Sequence, residues 1–176
     1  MTEPSPPAST QPEFGLRWGI KASFLEYLQR MPDGKGFLGD GAVPVGKNEI
    51  LFPPEQSGWR PSPDGVPDRF WAFRGDVRFS GHFGMLFVRV AFPVLTLRGE
   101  LAELTVAPLE DTKGAERLTL VTLRLAQQPS PQGIEIWRGT DVRLTGTGAG
   151  LFHDVYPPGE EFEPLTVTVP LLDASG

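Results

Sequence analysis

Apolar residues along this chain fall into two periods. Ile20, Phe24, Tyr27, Leu28 and Met31 recur at spacings of three and four, the mark of one face of a short N-terminal helix. Ser23 precedes Tyr27 by four, so the two share a face. Pro32 disfavours helical geometry at Met31, and Asp33-Gly34 favours a turn, so the helix stops there. Beyond it the period is two. Short strands are expected over 42–45 and 49–52, then a Pro/Ser/Gly-rich surface loop from Pro53 to Asp68. Phe70 to Phe79 alternates with a slip at Gly75, which suggests a bulge. Met85 to Leu97 reads as one long apolar strand bent at Pro93. Leu101, Leu104 and Val106 suit another strand. The alternation from Leu118 to Leu125 is cleaner, and Ile134–Trp137 and Val142–Thr145 predict two short strands. Gly148 to Val155 suits one or two helical turns, and Leu165, Val167 and Val169 close the sheet. Roughly eight or more short strands between turn signals predict a mainly β fold, an antiparallel β-sandwich-like or barrel domain. It carries a short N-terminal helix and a second short helix near 148–155.

The 176 residues suit one domain and can bury a sizeable core. Residues 1–13 are mostly Pro, Ser, Thr and Glu with little to bury, so they read as a disordered tail before a single domain over 14–172. The 19 Pro and 21 Gly favour strands joined by turns. A net charge of −6 without a basic run argues against nucleic acid and anionic membrane surfaces as partners. There is no cysteine, which excludes disulfides, thiol nucleophiles, Cys-ligated zinc and iron–sulfur clusters. The opening MTEPSPPASTQPE has neither a basic n-region nor an apolar h-region, so the chain as written reads as cytoplasmic. No run of about 18 apolar residues predicts a membrane span.

The scarce residues are two His, His82 and His153, and two Tyr, Tyr27 and Tyr156. Taken alone, His82 in Phe79-Ser80-Gly81-His82-Phe83-Gly84 is a turn histidine bonded to a backbone carbonyl. Tyr27 alone is a core tyrosine with its hydroxyl at the rim. Gly146-Thr147-Gly148-Ala149-Gly150 misses the dinucleotide fingerprint by one residue and has no βαβ unit around it. There is no G-x-S-x-G elbow, and His153-Asp154 lacks the second histidine of a zinc protease. Glu160, Glu161 and Glu163 lack calcium-loop spacing and read as a solvated face. The residues themselves carry no strong catalytic signature.

Three stretches together resemble the HtaA family of haem-binding domains. Trp18-Gly19-Ile20-Lys21-Ala22-Ser23-Phe24-Leu25-Glu26-Tyr27 is similar to that family's opening W-G-V/I-K-x-S-F-x-x-Y. Gly75-Asp76-Val77-Arg78-Phe79-Ser80-Gly81-His82-Phe83-Gly84-Met85-Leu86 is similar to G-x-V-x-F-x-G-H-x-G-x-L. Phe152-His153-Asp154-Val155-Tyr156-Pro157-Pro158-Gly159, followed by Glu163-Pro164-Leu165, resembles the closing F-x-x-x-Y-x-x-G and D-P-L/V elements. The match spans about residues 15–170. Two departures stand out: Phe83 follows the motif histidine where an acid is common, and Glu163 replaces the usual Asp.

The resemblance implies a non-catalytic protein that carries, buffers or hands over haem b. Tyr27 is then the iron ligand, His82 the group hydrogen-bonded to that tyrosine, Ser23 a neighbour of a propionate and Tyr156 a further pocket tyrosine. Phe24, Leu28, Phe83, Met85 and Phe152 are candidates for the apolar slot. Tyrosine is an accepted axial haem ligand, and a phenolate, a hard anion, favours ferric iron. A histidine N–H donated to that oxygen orients and tunes the ligand. The partners implied are haem and other haem-transfer proteins, with room for a homodimer, and the family works mainly at the cell envelope. Two other readings stand beside this one. One is a haem-dependent enzyme with His153 as an acid–base group, and the other is a haem-free interaction module.

Overall fold

The computed structural model describes residues 13–108 and 116–171. The expected tail therefore lies almost wholly outside the described residues. The chain opens with β1 (Gly15–Trp18) and α1 (Ala22–Arg30), then β2 (Lys35–Gly39), β3 (Val43–Val45) and β4 (Glu49–Phe52). Next come β5 (Pro54–Arg60), β6 (Asp68–Phe73), β7 (Asp76–Gly81), a single 3-10 turn (His82–Gly84) and β8 (Leu86–Ala91). It continues through β9 (Val94–Arg98), β10 (Leu101–Val106), β11 (Leu118–Gln128) and β12 (Ile134–Leu144), and finishes with α2 (Gly146–Leu151) and β13 (Leu165–Pro170). Among the described residues, ten strands form one sheet in the order β3-β4-β1-β13-β12-β11-β10-β9-β6-β5. A second sheet of three runs β2-β7-β8. Every pair is antiparallel, so the fold is mainly β and sandwich-like.

Several expectations need correction. The stretch Pro53–Asp68 is not all loop, because β5 occupies its first half. It forms the edge of the large sheet, where Pro54 is tolerated and the outward face stays wet, so no apolar alternation betrays it. Gly75 is not a bulge. It is where the chain leaves the large sheet after β6 and enters the small one at β7. The long strand over 85–97 is likewise two strands, β8 and β9, and the chain returns to the large sheet between them. These two crossovers lie side by side. The Phe92 N–H donates to the Gly75 carbonyl at 2.7 Å, and the Phe73 N–H donates to the Pro93 carbonyl at 2.9 Å. Phe92 takes φ 49°, and Arg117 donates to its carbonyl. The two short strands over 134–145 are one strand, interrupted in pattern by a register shift opposite Leu123 and by Asp141 at φ 52°. β1 and β2 lie outside the expected strands; β2, Lys35–Gly39, carries two glycines and buries no residue, so it shows no alternation. The second helix lies at 146–151, where the Thr145 hydroxyl caps it by accepting the Gly148 N–H at 2.9 Å.

The two crossovers carry a charge cluster in which Asp76 and Arg89 are buried and Arg78 is exposed. Arg78 and Arg89 face each other across β7 and β8, a juxtaposition that is unfavourable alone. Asp76 resolves it. Its carboxylate accepts two bonds from Arg89, at 3.1 and 2.9 Å, and two from Arg78, at 3.2 and 2.9 Å. Burial works to raise the Asp76 carboxyl, but the hydrogen bonds from Arg89 and Arg78 outweigh it and hold it below the ordinary 3.8. A second buried pair, Arg69 with Glu135 at 3.0 and 2.9 Å, ties β6 to β12 across the core.

Two outcomes follow. Gly75 has φ +126°, and an added Cβ would come within 2.7 Å of the Phe52 ring. Gly75→Ala should lower the unfolding free energy by about 1–3 kcal/mol in chemical denaturation. A carboxyl lowered in the folded state stabilises fully above its unfolded value, and that contribution is lost as pH falls through the folded value. Wild-type stability should therefore drop as pH passes below 3.8. Asp76→Asn should be less stable at neutral pH and lose less on acidification, measured by thermal melts over a pH series.

Candidate functional site

α1 exists because its inward face is apolar. Phe24 and Leu28 are buried, and Met31 ends the helix in the core. Its start has no side-chain cap of its own. The Glu163 carboxylate supplies one from the far end of the chain, accepting the Ala22 N–H at 2.9 Å. The Glu163 N–H donates to the Ile20 carbonyl, and its own carbonyl accepts the Trp18 indole N–H at 2.8 Å. Glu163 at the closing motif is therefore the anchor of the helix.

The outward face carries the candidate chemistry. The Tyr27 hydroxyl lies 2.6 Å from His82 Nε2, and the rings stand edge to face with centroids 5.8 Å apart. Ser23 Oγ lies 2.7 Å from the Tyr156 hydroxyl. Four residues scattered over the sequence thus form two hydrogen-bonded pairs, with Ser23 and Tyr27 one helical turn apart. His82 does not bond a backbone carbonyl through this nitrogen, and Tyr27 is 39 % exposed rather than core. Gly81 precedes His82 because the Met31 thioether occupies the space a Cβ would fill.

The Tyr27–His82 pair separates two hollows. One, of about 420 Å³, is lined by Phe24, Tyr27, His82, Phe83, Met85, Leu86, His153 and Val155, a mostly apolar set. The other, of about 440 Å³, is lined by Ser23, Glu26, Tyr27, Arg30, Met31, Pro32 and His82. Both sizes suit a small ligand. Phe83 and Met85 are 96 % and 82 % exposed at the rim. Burying little surface, they contribute little to folding by hydrophobic transfer. A slightly larger depression, about 450 Å³, crosses the large sheet, but it has no tyrosine or histidine and its arginines are ion-paired.

Not every slot candidate lines the cleft. Phe152 is fully buried and packs beneath it, edge to face against Phe24 at 5.1 Å. Leu28 is also core. His153 Nε2 donates to the Phe87 carbonyl at 2.7 Å, which ties the segment after α2 to β8. Asp33 escaped the sequence reading except as a turn residue. Its carboxylate accepts the backbone N–H of His82 at 3.2 Å and of Phe83 at 2.6 Å. The bond from Phe83 leads in holding its carboxyl below the usual aspartate value. No local pattern links positions 49 and 50 residues apart. Among the described residues, no three His, Asp or Glu side chains converge to hold a bare metal ion, and no helix is long and apolar enough to cross a membrane.

Fold and site together define a β-sandwich-like domain whose apolar cleft is bordered by a hydrogen-bonded tyrosine–histidine pair. The chain belongs to the HtaA family, whose family model, described as Htaa, matches residues 13–168. Among solved structures, the C-terminal domain of HtaA from Corynebacterium glutamicum superposes with a TM-score of 0.71 at 22% identity, over 88% of this chain and 94% of that one. The N-terminal domain of the same protein gives 0.67 at 26%, over 90% and 96%. The heme binding protein HtaB from that organism gives 0.61 at 21%, over 88% and 91%. No curated protein sequence matches the chain.

The Ser23–Tyr156 contact isolates one hydrogen bond for measurement. Tyr156→Phe keeps the ring on Phe152 and Phe162 but removes the hydroxyl. It should cost about 0.5–1.5 kcal/mol in denaturant titrations, with the fold unchanged by circular dichroism.

Proposed function

We propose that this domain binds one haem non-catalytically and carries, buffers or hands it over, with Tyr27 as the iron ligand. The observation that carries this reading is the Tyr27 hydroxyl, 2.6 Å from His82 Nε2, at the border of an apolar cleft. The donor chemistry fits. An exposed phenol is a hard oxygen donor suited to ferric iron, and an imidazole beside it is placed to donate N–H to the phenolate. That assignment requires the His82 tautomer with the proton on Nε2. Membership of the HtaA family and similarity to a structure named as a heme binding protein support the same ligand.

Bound haem would supply a ferric centre for an oxygen donor and a flat apolar surface for the cleft. The protein's part is then to bind and orient. Phe83 and Met85, exposed at the rim, gain a hydrophobic partner, while Phe24 closes the inner side. Ser23 and Tyr156 place hydroxyls near the helix for a propionate. His153 as an acid–base group is the weaker reading, since its Nε2 is already committed to the Phe87 carbonyl. A haem-free interaction module has one observation in its favour, the same exposed apolar pair Phe83 and Met85.

Titration with haemin separates these readings. The wild type should saturate at one equivalent with a high-spin ferric tyrosinate-type absorption spectrum. Tyr27→Phe should lose that spectrum, and His82→Ala should weaken binding by about 10–100-fold. A tyrosinate spectrum that survives Tyr27→Phe would move the ligand elsewhere. No uptake by the wild type would leave the interaction module as the better account.

A further inference from the structure

The backbone that presents His82 adopts a conformation its residues do not favour. His82 and Phe83 both have left-handed geometry, at φ 50° and 56°, and Gly84 follows at φ 84°. Of the three, only glycine adopts this region without steric penalty. Such backbone persists where surrounding contacts over-determine it, commonly at ligand sites. Within the turn there is one bond, from the Met85 N–H to the His82 carbonyl at 3.0 Å. The N–H groups of His82 and Phe83 point instead to Asp33, one to each carboxylate oxygen.

Asp33 is not part of that turn's own segment. It lies in the reverse turn that ends α1, closed by the Gly34 N–H donating to the Met31 carbonyl at 3.1 Å. The helix on one side of that turn carries Tyr27. A single carboxylate therefore joins the end of the tyrosine's helix to the backbone of the histidine's loop. The bond to Phe83, at 2.6 Å, is short, as expected when the acceptor is ionised. The carboxyl's preference for its charged form agrees with this geometry.

We infer that Asp33 is a positioning residue: by clamping the backbone of His82 and Phe83 it holds the imidazole against the Tyr27 hydroxyl. Its hydrogen bonds go to the loop backbone and not to either ring. Rim residue Phe83 is directed outward by the same clamp. The inference rests on the haem-binding reading for its biological consequence, but the hydrogen bond it concerns exists in the haem-free protein.

The test uses the full chain, with Asp33→Ala, the shape-preserving Asp33→Asn, His82→Ala and the Asp33→Ala/His82→Ala double variant. The first readout needs no haem. Nitrogen-15 NMR of the histidine rings reports tautomer and hydrogen bonding, with His153 as an internal control. In both Asp33 variants the His82 ring should lose its fixed tautomer while His153 is unchanged. Asp33→Asn, which keeps one acceptor oxygen, should show the smaller change. The second readout is haem dissociation into a scavenger. His82→Ala should accelerate it about tenfold or more, Asp33→Ala by several-fold, and the double variant no more than His82→Ala alone. An Asp33 effect that adds in full to His82→Ala, or a His82 ring undisturbed in both Asp33 variants, would overturn the inference. Absence of haem uptake by the wild type would sink the proposed function, and the ring spectra would still decide the role of Asp33.

Discussion

Phe24 is the contact on which the site depends. Its ring stands edge to face against Phe79 at 5.6 Å and against Phe152 at 5.1 Å. Each such pair is worth about 0.5–1.5 kcal/mol beyond the area it buries. The geometry matters more than the energy. Phe79 lies on β7, three residues before His82, and Phe152 lies at the end of α2, four before Tyr156. Phe24 itself sits between Ser23 and Tyr27 on α1. One buried ring therefore fixes the distances among three segments that meet nowhere else in sequence. The exposed pairs Tyr27–His82 and Ser23–Tyr156 are the outer ends of those same segments. Phe152 extends the cluster to Phe162, one residue before the Glu163 that caps the helix.

The small sheet explains why the histidine is available at all. Leaving the large sheet at Gly75 and returning at Phe92 lifts the β7–β8 hairpin out, so that its tip, with His82, Phe83 and Met85, reaches solvent beside α1. The detour is held at its base by crossover hydrogen bonds and by the Asp76 carboxylate between two arginines. Buried charge of this kind is weak evidence for stability, but removing one partner is strongly unfavourable. Here it ties the two strands of the hairpin together at the base while the tip stays open.

These facts divide what could be read in the sequence from what could not. The face of α1 was legible because Phe24, Leu28 and Met31 meet the core within one element. The long alternation of β11 was legible for the same reason. The crossovers were not, because alternation continues through Phe70–Phe79 and Met85–Leu97 whether or not the partner strand changes. β5 was hidden by being an edge strand with a wet face. The site stood between these cases. On their own terms Tyr27 and His82 suited a rim tyrosine and a turn histidine, and only the resemblance to HtaA domains paired them. Asp33 and Glu163 were invisible as functional groups, since each acts on backbone N–H groups of a distant segment, and backbone groups leave no trace in residue pattern.

A tyrosine–histidine pair could be built in a core, where low polarity strengthens every hydrogen bond. Here it is built at the surface, with Tyr27 partly open, and with His82 on a loop whose left-handed backbone is retained by a single carboxylate. Segments of low local stability are where proteins place parts that must open. On the proposed reading this trades some retention of the ligand for access to it. A buried phenolate would hold iron longer and release it only through unfolding of its surroundings. On that reading, a phenol on an exposed helix face beside a histidine carried by one loop would allow release by local change while Phe24 and the large sheet stay intact. On the proposed reading, that combination would suit a ligand that is cargo better than one that is a permanent part.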